Sequence, residues 1–353
     1  MSRTIALDSI RLRPTPRWGH TEYSLGYHFD YMRKVTGLEP DDPDCTRAFH
    51  EAWDIDMLWN AEDGLHGNWF ARGRATDMGH ANYAENGSDF RQAVHSPFQQ
   101  VEDVWAFDAV AEYGLADFDA QVQAYESWWQ SEQAQSPHQL VTGGYYKTIV
   151  SGAIQAFGWE MLLEAAADLR KFETVLDSFF RFTLHHMQAW AQTSAEVIIQ
   201  HDDFVWTAGP FLHPEFYREV IIPRYAALWK PLHQAGKKVL FCSDGTFTGF
   251  ADDLANAGAD GFIFEPSNPF AEMVEKFGSS HVLIGSAVDC RDLTFSSWEV
   301  VQQQIDQTLT LAQQCKGLII AVGNHIPANI SADMLDRYLA HYRAHWSRGD
   351  VAG

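Results

Sequence analysis

The chain has 353 residues and a formal net charge of −22, and 46% of its residues are hydrophobic. This composition is typical of a folded protein with a full core, so general disorder is excluded. The excess of acidic residues also disfavours binding to nucleic acid or to anionic lipid, because both repel a negatively charged surface.

The four cysteines lie far apart and form no Cys-x-x-Cys pair; they are Cys45, Cys242, Cys290 and Cys315. Neither a disulfide framework nor a zinc ribbon is therefore indicated. The first twenty residues lack the apolar core of a signal peptide, and no apolar run is long enough to span a bilayer. We expect a cytoplasmic protein with no membrane partner.

The predicted elements begin with a strand near residues 14–20. Residues of about 40–100 are rich in Asp, Asn, Gly and His, and we expect them to form an irregular insertion. A second strand is expected within 101–110. From about residue 138, short apolar runs alternate with helical patterns, as strands buried on both faces would. These runs are 138–144, 196–203, 237–245, 260–266, 281–289 and 316–325.

This alternation predicts a parallel α/β fold. About eight strands and the absence of a Gly-x-Gly-x-x-Gly motif favour a (β/α)8 TIM-type barrel over a doubly wound sheet. We expect one domain over residues 1–353, with long loops over the carboxyl ends of the strands. Barrel enzymes build their active sites at this end.

Four of the residues that end the apolar runs are candidate metal ligands. Cys242 and Asp244 are two apart, so an extended strand places them on one face. Glu265 and His325 end two later runs, and barrel closure can bring all four together. Thiolate, carboxylate and imidazole groups all bind Zn²⁺. The alternatives are a small buried thiol, a helix cap and a pocket wall.

Asp202 and Asp203 are candidate catalytic residues. Because they are adjacent, only one of them can face the barrel axis. A carboxyl group close to Glu265 would share a proton and serve as a general acid or base. Helix capping is an equally open interpretation of the pair.

Other polar residues at the ends of the runs are expected to orient the substrate or handle its proton. His20 is a candidate catalytic residue at the end of the first strand. Arg72 and Arg74, in the irregular stretch, are candidates for clamping an anionic group. The candidate substrate-binding residues are Glu22, Tyr145, Tyr146, Arg72, Arg74 and Asn324.

Four motifs in succession resemble the uroporphyrinogen decarboxylase superfamily. They are DDFVWTAGPFLHPEFYREVIIPRY, VLFCSDGTFTGFADDLANAGADGFIFEP, HVLIGSAVD and IIAVGNHIPANIS. The resemblance runs from about residue 138 to the C-terminus, with looser similarity in PRWGH near residue 18. It implies a (β/α)8 barrel with its pocket at the carboxyl ends of the strands.

The superfamily contains two chemistries. Its uroporphyrinogen decarboxylases bind a polycarboxylated tetrapyrrole without a metal, and they carry arginines after the first strand. Here the corresponding stretch is WGHTEYSLGYH, which contains no arginine. A pocket that offers His20, Glu22, Asp202 and Glu265 also suits a polyanion poorly.

The other branch resembles corrinoid-linked methyltransferases, which hold Zn²⁺ with His-x-Cys after one strand, a downstream Glu in some members and a Cys at the last strand. The resemblance places the His-x-Cys positions on Cys242 and Asp244, the Glu on Glu265, and the last ligand on Asn324 or His325. The positions are kept and the ligand types differ. Such a set would suit oxygen-rich substrates or a different metal, or would bind no metal.

The resulting hypothesis is a metal-assisted methyltransferase or demethylase, with Zn²⁺ as the cofactor and a corrinoid or similar carrier. It would move a methyl group between a small methylated compound and that carrier. Two alternatives are a metal-free decarboxylase of a small or tetrapyrrole-like carboxylic acid and a non-enzymatic corrinoid- or tetrapyrrole-binding protein. Expected partners are the small-molecule substrate and a corrinoid protein; members of the superfamily often form homodimers.

Overall fold

The computed structural model describes residues 1–23, 28–63, 82–83, 89–90, 96–285, 288–324, 326 and 328–348. Within these residues the chain forms a parallel sheet surrounded by helices. No helix among them could span a lipid bilayer.

The strands are β1 Gly19–His20, β2 Met57–Leu58, β3 Glu62–Asp63, β4 Asn82–Tyr83, β5 Asp89–Phe90, β6 Leu140–Val141, β7 Gly143–Tyr146, β8 Val197–His201, β9 Lys238–Ser243, β10 Gly261–Phe264, β11 Val282–Gly285 and β12 Gly317–Ile320. The main sheet has the order β1-β12-β11-β10-β9-β8-β7-β3. All of its pairings are parallel, as the apolar runs predicted. Strand β2 pairs with β6, and β4 with β5.

The helices are α1 Arg3–Ile10, α2 Phe29–Thr36, α3 Cys45–Ala52, α4 Val101–Trp105, α5 Ala109–Tyr113, α6 Phe118–Gln135, α7 Val150–Phe157, α8 Trp159–Ala165, α9 Leu169–Ala191, α10 Pro214–Phe216, α11 Ile222–Gln234, α12 Ala251–Ala257, α13 Phe270–Phe277, α14 Cys290–Phe295, α15 Trp298–Ala312 and α16 Ala332–His345. A short π-helix, Tyr217–Ile221, joins α10 to α11. Between β7 and β12, helices follow each strand, which is the βα alternation of a barrel.

The two ends of the main sheet approach each other through the residues around β1 and β2. The backbone N–H of Asp56 donates to the carbonyl of His20 at 2.8 Å. The hydroxyl of Thr21 donates to the carbonyl of Met57 at 2.6 Å. Strand β2 directly precedes β3, which lies at the opposite end of the main sheet from β1. These bonds therefore place β1 beside β2 and close to the other end of the sheet. The fold is therefore α/β and of the (β/α)8 TIM-barrel type.

One predicted strand is wrong. Residues 101–110 contain α4 and the start of α5 rather than a strand. Glu102 and Asp103 stand in the first turn of α4, where negative charge stabilises the helix dipole. The strand that follows β1 is instead β2 with β3, inside the stretch predicted to be an irregular insertion.

A compact apolar core fills the inside of the barrel. Its buried residues alternate along the strands and are Met57, Leu140, Val197, Ile199, Leu240, Cys242, Ile263, Val282, Ile284 and Ile319. Ala6 and Ile10 of α1 belong to the same cluster. Helix α1 therefore packs against the interior at the amino ends of the strands, and the opposite end remains for a site.

The residues between these interior positions face the helices. In β8, Ile198 packs in the outer core while Val197 and Ile199 pack inside. This alternation has a period of two residues. The same alternation, continued past Ile199, points His201 and Asp203 into the barrel and Asp202 towards the surrounding helices.

Asp202 accordingly joins β8 to the start of α7. Its Oδ2 atom accepts hydrogen bonds from the backbone N–H groups of Ile149 and Val150, each at 3.1 Å. Its Oδ1 atom accepts from both the backbone N–H and the hydroxyl of Ser151, at 2.6 and 2.7 Å. Tyr225 donates a further hydrogen bond to Oδ2 at 2.7 Å. These five bonds give the buried carboxylate a structural role.

We predict that Asp202→Asn lowers the free energy of unfolding by about 3 kcal/mol, because the new amide group would face backbone donors in a buried place. Urea unfolding followed by circular dichroism measures the change. Asp117→Asn is the control, since Asp117 caps the exposed start of α6 and Asn caps a helix equally well. Equal stability of Asp202→Asn and the control would contradict this role.

Candidate functional site

A pocket opens at the carboxyl ends of β8 to β12. Its walls are largely apolar, with a polar group of side chains on one side. The lining residues are Tyr23, Trp59, His201, Cys242, Ser243, Asp244, Ile263, Phe264, Glu265, Ile284, Gly285, Ala321, Val322 and Asn324. The sequence predicted a site at this end of the barrel.

Aromatic rings form one wall. The rings of Tyr23 and Trp59 lie 4.6 Å apart, and those of Trp59 and His201 lie 6.0 Å apart. Behind the wall, Tyr146 stacks on His201 with 3.9 Å between the ring centroids. The imidazole of His201 thus stacks on one aromatic ring and lies near a second.

Three side chains at the polar end lie close enough together to contact one bound ion. A ring nitrogen of His201 and carboxylate oxygens of Asp203 and Asp244 all lie within 4.8 Å of one another. His201 and Asp203 are buried, and Asp244 is half-buried. Sequence reasoning missed His201 as a site residue. Its position two residues before Asp203, on the same face of the strand, was the available signal.

Asp203 lies at the centre of this polar end. Its Oδ1 atom accepts hydrogen bonds from His201 Nε2 at 3.0 Å and from the backbone N–H of Asp244 at 2.8 Å. Its Oδ2 atom accepts from the hydroxyl of Tyr146 at 3.2 Å. Burial raises the pKa of Asp203, but His201 and the three hydrogen bonds outweigh burial and lower the pKa below its usual value.

Cys242 belongs to the interior core and also lines the pocket. Burial raises the pKa of its thiol well above the usual value, and the nearby carboxylates of Asp244, Asp203 and Glu265 raise it further. The thiol is therefore protonated at neutral pH when no cation is near. Its position among three carboxylates shows how much negative charge this end of the pocket collects.

Glu265 faces the pocket from the end of β10. Its Oε2 atom accepts a hydrogen bond from the backbone N–H of Gly245 at 2.9 Å, and Asn324 Nδ2 donates to its Oε1 atom. Asn324 Nδ2 also donates to Asp244 at 3.3 Å. Burial raises the pKa of Glu265, and the charge of Asp203 adds to that effect. Asn324 has a φ of 74°, a backbone conformation that Asn adopts more readily than most residues.

His20 and Glu22, predicted to act on the substrate, are instead bound to each other and to the fold. His20 Nε2 contacts Glu22 Oε1 at 3.0 Å, and Tyr338 donates to the same oxygen at 2.7 Å. The other oxygen of Glu22 accepts from the backbone N–H of Val322 at 2.8 Å. His20 Nδ1 contacts the carbonyl of Trp53 at 2.8 Å. Neither His20 nor Glu22 lines the pocket.

The two tyrosines that end β7 separate in the same way. Tyr145 faces the helices and stacks on His186 with 4.5 Å between the ring centroids. Tyr146 faces inward and contacts His201 and Asp203. Of the predicted pair, only Tyr146 is placed beside the site.

The structure therefore brings together Cys242, Asp244, Glu265 and Asn324 from the predicted set. It adds His201 and places Asp203 beside them. It directs Asp202, His20, Glu22 and Tyr145 to other contacts. Arg72, Arg74 and His325 lie outside the described residues.

The chain resembles known proteins in its fold and, over residues 158–345, in its sequence. The chain matches a solved structure of a methyltransferase from Methanosarcina mazei with a TM-score of 0.64 and 14% identity, over 98% of both chains. Two further barrels are similar only distantly. A xylose isomerase-like TIM barrel protein from Mycobacterium smegmatis in complex with magnesium has a TM-score of 0.35 and 12% identity, over 76% of this chain and 95% of its own. A GH53 catalytic domain from Ignisphaera aggregans has a TM-score of 0.36 and 11% identity, over 92% and 97%.

A search of curated proteins finds no match. The likeness to the Methanosarcina structure, at 14% identity, establishes the fold. A family model described as uroporphyrinogen decarboxylase (URO-D) matches residues 158–345, which is more than half of the chain and includes β8 to β12. The chain therefore belongs to the uroporphyrinogen decarboxylase family.

Proposed function

We propose that this protein is a metal-assisted methyltransferase that works in the pocket at the carboxyl ends of its barrel strands. It would move a methyl group between a small methylated compound and a corrinoid or similar carrier. The observation that carries the proposal is the convergence of His201, Asp203 and Asp244 beside an apolar, aromatic-walled pocket. The likeness to the Methanosarcina methyltransferase over 98% of both chains supports it.

The charge of the pocket favours a bound cation. The carboxylates of Asp203, Asp244 and Glu265 gather near Cys242, and no Lys or Arg belongs to the described lining. The charge of Arg291 acts on Glu265 and lowers its pKa in part. Three neighbouring carboxylates repel one another in a buried place, even where hydrogen bonds stabilise each of them. A divalent cation would relieve this repulsion.

The chemistry of the donor groups fits such a cation. Carboxylate oxygens, an imidazole nitrogen and a cysteine sulfur are all groups that hold Zn²⁺ in proteins. When bound, the ion would act as a Lewis acid on the heteroatom that carries or receives the methyl group.

The residues of the chain would supply the rest of the reaction. Apolar walls formed by Ile263, Ile284 and Val322 keep water from the reacting groups. In the demethylating direction, the bond between the methyl carbon and the heteroatom breaks while the bond to the carrier forms. The heteroatom then gains a proton. Glu265, which lines the pocket, would deliver that proton.

A decarboxylase is the second candidate, because the family model that matches the chain carries that name. In that reaction Glu265 would protonate the carbon left by CO₂. The clustered carboxylates count against it, because they repel a carboxylate substrate when no cation is present. Assays for CO₂ release and for methyl transfer on the same preparation distinguish the two reactions.

We predict that removing divalent metal with a chelator abolishes methyl transfer, and that adding back one equivalent of Zn²⁺ or Co²⁺ restores it. The physical reason is that the heteroatom loses its Lewis acid. Methyl transfer is followed with a methylated substrate and reduced cobalamin. The control is protein dialysed identically without chelator. Full activity in protein shown by elemental analysis to contain no metal would exclude this mechanism.

We also predict that Glu265→Gln lowers the rate of methyl transfer about 10²- to 10⁴-fold, as expected when a positioned proton donor is lost. The metal content should stay unchanged, which separates a lost proton donor from a lost ligand. Glu275→Gln, on the exposed face of α13, is the matched control. A rate equal to that of the control variant would remove Glu265 from the reaction.

A further inference from the structure

We propose that His201, Asp203 and Asp244 are the metal ligands, and that Cys242 and Glu265 face the substrate instead. The ligand set implied by the family resemblance uses the ends of β9, β10 and β12. The set proposed here uses the ends of β8 and β9. The inference rests on the proposed function for its setting and names the residues that would bind the ion.

The distances within the group suit one ion. Ligand nitrogen and oxygen atoms lie about 2.0–2.2 Å from Zn²⁺, so two ligand atoms of one tetrahedral ion lie roughly 3.3–3.6 Å apart. His201 Nε2 and Asp203 Oδ1 share a hydrogen bond at 3.0 Å; an ion between them would replace its proton and hold the two atoms slightly farther apart. The carboxylate of Asp244 lies within 4.8 Å of both residues' ligand atoms. Among the described residues, His201, Asp203 and Asp244 form the group of at least three candidate ligands whose donor atoms all lie within 4.8 Å of one another.

The sheet holds the three ligands in place. His201 ends β8 and pairs in register with Cys242 of β9, which directly precedes Ser243 and Asp244. The backbone N–H of Asp202 donates to the carbonyl of Cys242, so the ladder continues past the last paired residues. The backbone N–H of Asp244 donates to Asp203. Rotation of the Asp203 side chain away from Asp244 would break this last bond.

Tyr146 supports two of the ligands at once. It stacks on the ring of His201 and donates its hydroxyl to Asp203. Groups that contact metal ligands in this way fix the orientation of the rings and carboxylates, and their loss usually weakens metal binding 10- to 100-fold. Tyr146 is therefore a positioning residue.

The remaining candidate ligands are less suited. Glu265 accepts hydrogen bonds from Gly245 and Asn324 and lies outside the three-residue group. Cys242 lies in the pocket and outside the three-residue group. A site of one imidazole and two carboxylates accepts Zn²⁺, Mn²⁺, Fe²⁺ or Co²⁺, since it contains no soft sulfur ligand.

The test is titration of chelator-treated full-length protein with Co²⁺. A cobalt–thiolate bond gives a strong charge-transfer band, whereas nitrogen and oxygen ligands give only weak visible bands. We expect one Co²⁺ per chain and no thiolate band. His201→Gln and Asp203→Asn should each weaken binding at least tenfold, and Tyr146→Phe about tenfold.

Two further variants complete the experiment. Cys242→Ser should bind Co²⁺ within about twofold of the unmodified protein. His233→Gln is the matched histidine control, because His233 also contacts a carboxylate, Asp260, at 3.0 Å but lies near the amino ends of the strands. Circular dichroism of each variant verifies that it is folded.

A thiolate band that disappears in Cys242→Ser, or binding that survives both His201→Gln and Asp203→Asn, would overturn the proposal. So would a protein that binds no Co²⁺ at all. Methyl transfer is not part of this readout. A protein that binds the metal as described and fails to transfer methyl groups would refute the proposed function and leave the metal site standing.

Discussion

The alternation of side chains along the barrel strands is the constraint on which the site depends. In β8, Val197 and Ile199 pack inside the barrel, and the same period carries His201 and Asp203 inward at the strand end. In β9, Leu240 and Cys242 pack inside, and Asp244 follows them. Apolar side chains fill the interior below, and α1 packs against its amino end. The first polar residues of the inward series consequently meet at the carboxyl end, around one pocket.

The same alternation sends neighbouring residues of the same kind to different surroundings. Asp202 accepts five hydrogen bonds from the start of α7 and from Tyr225, whereas Asp203 contacts His201 and Asp244 beside the pocket. Tyr145 packs among the helices and Tyr146 against His201. The outward member of each pair packs against the helices around the barrel, and the inward member lies beside the pocket.

The sequence predicted the fold well from β7 onward, because buried parallel strands leave unmistakable apolar runs of four to six residues. It failed at the second strand, because β2 and β3 have two residues each and lie in a polar stretch with no such run. The ends of β9 and β10 were predicted as parts of a site, and they do line the pocket. His201 was not predicted as a site residue, because the adjacent Asp202 and Asp203 were chosen as the catalytic candidates. Glu22 accepts hydrogen bonds from Tyr338 and from the backbone N–H of Val322, both 300 or more residues away in the chain, and no local pattern reveals these contacts.

The central claim is that one divalent ion binds between the ends of β8 and β9. The most direct measurement is a crystal structure of the protein grown with Zn²⁺, with anomalous diffraction data collected on both sides of the zinc absorption edge. The account predicts a single strong anomalous peak about 2.0–2.2 Å from a ring nitrogen of His201 and from carboxylate oxygens of Asp203 and Asp244. A peak bonded to the sulfur of Cys242 and the carboxylate of Glu265, or the absence of any peak in the pocket, would contradict it.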